Sequence, residues 1–290
     1  LEALKKCDDS FSFEQVFNNF ETEFEGYAKR VILQENLWQV ERARNSTDPM
    51  RISVLIHDCI ERGKSNDCGG ARYNELEPNI LGMQNVTESL NVIKRIVFDE
   101  KRVTISELNK ALEKNFADNE DLLLYIRNKV IHFGTGDKEA SRIAKKVADM
   151  VLKTFSSMKT VRGAKIIPGA FSYREHEIQG RTTPASPDGR KAGMPLNDGS
   201  CPVQGYDNLG PTLSLISTVY WEPSRFLGGT SVNVKINKGI DPKKISALIR
   251  GYLKTHGSQL QFNIVDSETL LKAQENPEMY KDLLVRIGGY

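Results

Sequence analysis

The residues with the clearest chemical potential close the chain. The apolar run Leu283–Ile287 is followed by Gly288, Gly289 and Tyr290. A short apolar run of this kind predicts a buried strand, and the two glycines after it allow a tight turn because glycine adopts positive φ at little cost. Ligand sites of parallel α/β sheets lie where the strands end. Taken alone, the glycine pair therefore indicates a turn at such an edge.

A thiol placed two residues before a carboxylate is the second chemical candidate. Cys59 precedes Glu61, and such a pair could supply a reactive sulfur and a proton acceptor. The same cysteine also belongs to an apolar stripe at helical spacing, formed by Ile52, Leu55, Ile56, Cys59 and Ile60. Because cysteine often behaves as a small buried hydrophobe, the stripe predicts a core helix in which Cys59 is structural.

The sequence lacks the signatures of several other chemistries. It contains no strand-GxGxxG-helix unit, no GxxxxGK[ST] phosphate loop, no GxSxG elbow and no HExxH zinc motif. We interpret the histidines at positions 57, 132, 176 and 256 as surface or structural residues, since they show no metal-ligand spacing. The scattered cysteines at positions 7, 59, 68 and 201 form no CxxC pair, so no metal site is predicted and a reduced, cytosolic compartment is favoured.

Composition narrows the class of protein. The chain has 290 residues, of which 39% are hydrophobic and 27% charged, as in an ordinary globular protein with one large or two ordinary domains. Its net charge of +2 gives no electrostatic signal for nucleic acid or for an anionic membrane. No run approaches the roughly 20 apolar residues of a membrane helix. We therefore predict no nucleic-acid partner and no membrane partner.

Residues 1–160 read as mostly helical. Ser12 with Gln15, and Thr104 with Glu107, have the spacing of capping boxes at the starts of helices. A further helix is predicted to open at Thr87, and another over residues 138–155. The first helix is expected to bury a stripe formed by Phe13, Val16, Phe17, Phe20, Phe24 and Tyr27.

A long stretch from about Arg162 to Gly229 is poor in predicted regular elements. It is rich in glycine, proline, serine and aspartate, and loops of this length inside a domain are usually functional or disordered. Its turn chemistry favours order, because Ser186-Pro187-Asp188-Gly189 has proline and glycine where a tight turn needs them.

The last part of the chain alternates between strand and helix patterns. Val232, Val234 and Ile236 mark one strand, and Leu260 and Phe262 mark another. A helix that starts with Asp241 as cap and Pro242 in its first turn lies between them, and a further helix follows. Strand-helix-strand order predicts parallel pairing, so residues 161–290 read as the α/β part of one continuous unit.

Several long motifs now combine into one resemblance. They are "DCIERGKSNDCGGARYN", "ESLNVIKRIVFDE", "KALEKNF", "GRTTPASPDGRKAGMPLNDG", "GYDNLGPT", "QLQFNIVD" and "LLKAQENPEMYKDLLVRIGGY". In this order they resemble the carboxyl-terminal half of the glycyl radical enzymes, most closely the dehydratase and decarboxylase branch. The resemblance implies a ten-stranded α/β barrel. It also implies that Gly289, rather than Gly288, carries the radical, because the family motif matches Arg286–Tyr290.

The resemblance further implies a radical lyase that cleaves a small organic substrate by dehydration, decarboxylation or C–N cleavage. No cofactor is expected to be bound. A partner activating enzyme, with S-adenosylmethionine and an iron–sulfur cluster, would install the radical on Gly289, and the full-length enzyme would be a cytoplasmic homodimer. The family's Gly-Cys-x-Glu motif, which holds the thiyl cysteine, does not occur in this sequence. The chain is therefore expected to be partial.

Other expectations follow from the same resemblance. A spare glycyl radical domain without catalysis, or a pyruvate formate-lyase-type acyltransferase, are the alternatives to a lyase. Residues 166–173 are expected to line part of the substrate pocket. In a partial barrel, apolar strand residues such as Val232, Val234, Ile236 and Phe262 would be exposed to water.

Overall fold

A computed structural model describes residues 1–45, 50–236, 239–264 and 267–280. The helices are α1 (Glu2–Lys5), α2 (Phe13–Arg44), α3 (Met50–Ser53), α4 (Met83–Ile93), α5 (Ile105–Glu113), α6 (Glu120–Lys129), α7 (Lys138–Ser156), α8 (Glu175–Thr182), α9 (Pro211–Val219), α10 (Pro242–Lys254) and α11 (Ser267–Glu275). The strands are β1 (Gly169–Ala170), β2 (Gly229–Ile236) and β3 (Gln259–Ile264). A π-helical segment (Lys94–Asp99) extends α4 directly, and 3-10 turns lie at Pro223–Arg225 and Pro277–Tyr280. The predicted closing strand, residues 283–287, and Gly289 lie outside the described residues.

The described strands form a parallel sheet in the order β1-β2-β3. Gly169 pairs with Gly229, and β2 pairs with β3 along its length from Ser231 opposite Gln259. The chain passes from β2 through α10 to β3, which is the crossover that parallel strands require. The predicted parallel α/β arrangement is confirmed for these strands, whereas the division of the chain near residue 160 stays a prediction.

The two faces of β2 differ in chemistry. Val232, Val234 and Ile236 are buried and pack with Leu215 of α9 and Tyr252 of α10. The expectation that these three strand residues would meet water is therefore wrong, because two helices of the same chain cover that face. The intervening Ser231, Asn233 and Lys235 point to the opposite face, as alternation along a strand requires.

The main helical core forms where α2, α4 and α7 meet. Phe17, Leu90 and Val147 are buried there, and Trp221 from the turn after α9 completes the cluster. Both predicted capping boxes, at Ser12 and Thr104, are confirmed with reciprocal hydrogen bonds. Tyr27 is 61% exposed and lies off the buried face of α2, which continues through Ala28 and Ile32.

Three features of the helices differ from the sequence predictions. Helix α4 begins at Met83 rather than Thr87, and Gly82, with φ of 72°, precedes it without a side-chain cap. Helices α8 and α9 lie within the stretch predicted to be poor in regular elements, and α6 was not predicted. The prediction for α4 failed because of tertiary packing. Thr87 and Glu88 resemble a helix cap in sequence, but both have no exposed surface and belong to a buried face of the helix.

The predicted helix around Cys59 is also wrong. Helix α3 ends at Ser53 and turns follow, while Leu55 is 84% exposed. Cys59 itself is 3% exposed, which agrees with the structural role predicted for it. Within the described ranges, no helix combines the length and apolar character needed to cross a membrane.

Candidate functional site

Gly289 belongs to the terminal residues that the structure does not describe, so its assignment as radical carrier stays a prediction. The described part of the chain nevertheless builds a polar site beside β2. Three segments form it: the end of β1, the loop between α8 and α9, and the edge of β2 beyond β1.

The first part of the loop is a turn fixed by buried polar groups. The Gly189 amide donates to the Ser186 carbonyl at 3.0 Å, which confirms the tight turn predicted there. The Asp188 carboxyl, 1% exposed, accepts hydrogen bonds from Asn85 Nδ2 at 2.6 Å and Ser186 Oγ at 2.5 Å. Burial raises the pKa of Asp188, although these bonds oppose the shift. The turn is therefore anchored on α4 through Asn85.

Arg190 closes the same turn from the other side. Its guanidinium donates to backbone carbonyl groups, including that of Met194 at 2.8 Å and that of Pro184. Burial lowers the pKa of Arg190, and the neighbouring Asp188 opposes that shift. Because its donors are directed at groups of its own loop, namely backbone carbonyls and Ser186 Oγ, the structure favours a scaffold role for Arg190.

Asp198 joins the end of β1 to β2. Its carboxyl accepts hydrogen bonds from Ser172 Oγ, just after β1, and from Asn233 Nδ2 of β2 at 2.5 Å. The Gly199 amide also donates to Ser172 Oγ, at 3.1 Å. His176 lies behind this group, with its Nδ1 3.8 Å from Asp198 Oδ1. These contacts hold the predicted pocket-lining residues 166–173 against the loop.

Cys201 occupies the edge of β2 beyond the short strand β1. The Asn233 amide donates to Cys201 Sγ at 3.0 Å, and the thiol approaches the Asn233 carbonyl at 3.6 Å. Next to it, the Ser200 amide donates to the Ser231 carbonyl at 2.7 Å. Burial raises the pKa of Cys201 to about 12, so at neutral pH it stays a thiol. This cysteine is therefore an edge cap rather than a nucleophile.

A buried brace supports the second part of the loop. His132 Nδ1 lies 2.5 Å from Glu88 Oε1, and the carboxylate also accepts from the Phe133 amide at 2.9 Å. The Tyr206 ring stacks on the His132 ring, with centroids 3.6 Å apart and planes 6° apart. The Tyr206 hydroxyl donates to the Asp188 carbonyl at 2.7 Å. We call Glu88, His132 and Tyr206 the brace, since together they tie α4 to the loop.

One glycine makes the close contact beside the brace possible. Gly134 has φ of +100°, and a Cβ there would come within 2.6 Å of Pro202 Cβ and 3.1 Å of Asp207 Cβ. Neither the backbone conformation nor the space admits a side chain. Residues 202–207 are thus packed directly on the loop that precedes α7.

These segments surround a cavity of about 410 Å³, which we call the crevice. Its polar lining residues are Asn197, Asp198, Cys201, Gln204, Asp207, Asn208, Ser214, Asn233 and Lys235. Burial raises the pKa of Asp207, while the hydrogen bond from Ser214 and the charge of Lys235 oppose that shift. A partly buried carboxyl group with a perturbed pKa in a polar cleft marks a candidate binding site.

The four histidines considered in the sequence analysis lie at different places in the structure. His132 belongs to the brace and His176 lies behind Asp198, whereas His57 and His256 are exposed. In the described ranges, no three His, Cys, Asp or Glu residues are grouped so as to hold a metal ion. Sequence reasoning missed Glu88, Asp198 and Asp207. The density of Asp, Asn and Gly over residues 197–210 was the available signal for the two aspartates.

Comparison with known proteins identifies the family. Residues 2–180 match the family model described as pyruvate formate lyase-like, and residues 196–290 match the model described as glycine radical. (2S)-3-sulfopropanediol dehydratase of Klebsiella oxytoca is 32% identical over 96% of this chain and 35% of its own length. Trans-4-hydroxy-L-proline dehydratase of Clostridioides difficile is 33% identical over 94% of this chain and 36% of its own length.

A solved structure shares the fold. The glycerol-bound B12-independent glycerol dehydratase of Clostridium butyricum superposes with a TM-score of 0.91 at 33% identity, covering 99% of this chain and 36% of that protein. The chain thus spans about a third of the length of the proteins it matches, and its described strands are a portion of an α/β barrel of the pyruvate formate-lyase type. It belongs to the pyruvate formate lyase-like family of glycyl radical proteins.

Proposed function

We propose that this chain is the radical-bearing part of a glycyl radical lyase that acts on a small organic substrate. The observation that carries the proposal is the glycine radical match over residues 196–290, which includes the Arg286–Tyr290 motif. The similar proteins of Klebsiella oxytoca, Clostridioides difficile and Clostridium butyricum are dehydratases by name, which favours a lyase over an acyltransferase or a spare domain without catalysis. Dehydration, decarboxylation and C–N cleavage all remain within the proposal.

Gly289 is the proposed site of the radical. Its α-carbon carries two hydrogens and no side chain, so loss of one hydrogen atom leaves a planar radical that the flanking amide groups delocalise. In the reaction, the α-carbon takes a hydrogen atom from a cysteine thiol and leaves a thiyl radical. That cysteine and its glutamate base are expected from the Gly-Cys-x-Glu segment of the full-length protein. Within the described chain, Cys59 and Cys201 do not fit this role, since the first is buried and the second caps a strand edge.

The proposal includes partners and a location. An activating enzyme that uses S-adenosylmethionine and an iron–sulfur cluster would generate the radical. The full-length protein would be a cytoplasmic homodimer that binds a small molecule. The family match supports the need for an activating enzyme, because a closed-shell glycine does not become a radical without an oxidant.

Electron paramagnetic resonance tests the radical assignment directly. The full-length protein, activated anaerobically, should give a doublet from the one hydrogen left on the Gly289 α-carbon. Gly289→Ala should abolish the doublet. Gly288→Ala is the matched control and should at most weaken it. A normal doublet from Gly289→Ala would refute the assignment.

A further inference from the structure

Helix α10 carries basic side chains along its outer face. Lys243, Arg250 and Lys254 stand at positions i, i+7 and i+11, which share one side of a helix, and all of them are exposed. Ala247 lies between them on the same side and is also exposed. The row is roughly 16 Å long, because a helix rises about 1.5 Å per residue. We call Lys243, Arg250 and Lys254 the basic row.

The opposite side of α10 is used by the fold. Tyr252 is buried, and Ile245 and Leu248 pack with it in the cluster that covers β2. Since successive helix residues are about 100° apart around the axis, the basic row lies opposite Tyr252 and is directed away from the sheet. The row therefore takes no part in packing this core.

The basic row has no acidic partner within the described part of the chain. Helix α10 itself contains no Asp or Glu, and the carboxylate of its cap, Asp241, accepts a hydrogen bond from the Lys243 amide at 2.8 Å. None of the three basic side chains forms an ion pair with any described residue. In helix α7, by contrast, most basic side chains are paired with carboxylates, namely those of Arg142, Lys145, Lys146 and Lys153.

An unpaired row of this kind gives the outer face of α10 a positive potential. Like charges on one helix face repel each other weakly, so the row adds nothing to the stability of α10 by itself. Exposed charges that are not balanced locally attract opposite charges over a distance and raise the rate at which such partners associate. The face is therefore suited to an acidic partner.

We propose that the basic row of α10 docks an acidic surface of the activating enzyme. Helix α10 lies within residues 196–290, which match the glycine radical model, so a protein that acts on the radical glycine has to approach this part of the chain. Exposed charges fit a partner that binds, reacts and leaves, because they speed association, whereas charged residues are depleted from the cores of stable interfaces. The identity of the partner rests on the proposed function, and its acidic character rests on the row.

Nucleic acid is the other common polyanion, and the charge of the chain disfavours it. The net charge is only +2, and the basic row ends after three turns of helix. A nucleic-acid site uses a larger basic surface that neutralises many phosphates.

The rate of radical formation tests the inference. The full-length protein is mixed anaerobically with a substoichiometric amount of activating enzyme at about 0.1 M salt, where the Debye length is about 10 Å, and the growth of the doublet is followed. The triple variant Lys243→Glu, Arg250→Glu and Lys254→Glu should lower the initial rate about tenfold to a hundredfold, which lies within the range of electrostatic steering. Added salt should slow activation of the unaltered protein and leave the variant nearly unchanged.

A second triple variant controls for the change in net charge. Lys110→Glu, Lys129→Glu and Lys138→Glu alter exposed positions outside residues 196–290 by the same total charge. This variant should be activated within about twofold of the unaltered protein, because charges beyond a Debye length are largely screened. Equal activation rates of the two triple variants would overturn the inference.

Acetylation of lysines, read by mass spectrometry, tests the surface without the radical. Lys243 and Lys254 should react in the free full-length protein and become protected when the activating enzyme is added, while Lys110 and Lys129 stay reactive. Protection of Lys243 and Lys254 in the free protein would show that its own chain covers the row. That outcome would overturn the inference, as would protection by duplex DNA but not by the activating enzyme.

The glutamine variant Lys243→Gln, Arg250→Gln and Lys254→Gln serves if charge reversal prevents folding, and it should slow activation severalfold. An unchanged rate in this variant would also count against the basic row. A missing doublet in the unaltered protein would instead count against the proposed function, and lysine protection would then decide the inference.

Discussion

Two segments with little regular structure show how differently one sequence can stabilise a loop. Residues 54–74 follow α3 and expose apolar side chains such as Leu55 and Ile60, whereas residues 183–201 bury charged side chains such as Asp188 and Arg190. Hydrophobicity alone would predict the opposite, with the apolar side chains buried and the charged side chains exposed. Burial in these loops therefore follows from available hydrogen-bond partners rather than from hydrophobicity alone.

An aspartate anchors each segment, and the two carboxyl groups are perturbed in opposite directions. Asp58 binds Arg72 at 2.6 Å and Arg62 at 3.0 Å, and the hydrogen bond from Arg72 lowers its pKa. Asp188 accepts from neutral groups inside the protein, and burial raises its pKa. The same side chain thus serves as a surface ion-pair partner or as an interior acceptor, depending on which groups the fold brings to it.

The largest effect is expected from removing the interior anchor. Asp188→Ala leaves Asn85 and Ser186 without their acceptor and Arg190 without its neighbouring charge. The loss in local unfolding free energy should be roughly 3–6 kcal/mol, since two hydrogen bonds to the carboxyl group are lost at about 1.5–3 kcal/mol each. Hydrogen-exchange mass spectrometry of the full-length protein measures it, through peptides that cover residues 183–201. Asp118→Ala, at an exposed position, is the control, and equal protection in both variants would show that Asp188 does not anchor its segment.

A change of pH should have a smaller effect on the local stability of the two segments, and the effect should have opposite signs in them. The raised native pKa of Asp188 stabilises its segment below the unfolded value of about 3.9, and that contribution is lost as pH rises through the native pKa. The lowered native pKa of Asp58 stabilises its segment above about 3.9, and that contribution is lost as pH falls through the native pKa.

Exchange protection followed as a function of pH measures both slopes, after correction for the intrinsic exchange rate. Asp188→Asn should remove the first slope and Asp58→Asn the second, while each leaves the other intact. Slopes of the same sign in the two segments would show that their environments are not opposite.

The smallest effect is expected at the exposed apolar positions. Leu55→Ser should change stability by no more than about 0.5 kcal/mol, because the side chain is already in water in this chain. Cys59→Ala in the same segment should cost about 1 kcal/mol for an emptied small site and should leave the radical doublet intact. Thermal unfolding measures the change in stability, and electron paramagnetic resonance measures the radical doublet. A large cost at Leu55 would mean that another part of the full-length protein covers it.

Local patterns predicted the elements whose determinants lie close together in sequence. The capping boxes at Ser12 and Thr104, the turn at Ser186–Gly189 and the strand residues Val232–Ile236 depend on neighbours within a few positions, and the structure agrees with them. The apolar pattern around Cys59 was misleading, because helical spacing stabilises a helix only when a partner covers its apolar face. In the described chain that partner is missing for Leu55 and Ile60, and the segment turns instead.

The sequence by itself determined the class of fold, the parallel order of the strands and the family to which the radical motif belongs, because periodicity, caps and motifs are local in the chain. Only the tertiary structure decided that α4 buries a polar face and that Glu88, His132 and Tyr206 meet as a brace. It also decided that Asp198 and Asp207 line one crevice beside β2. Such sites form between residues up to about a hundred positions apart, as Asn85 and Asp188 are, and their energies depend on burial and distance, which no local pattern encodes.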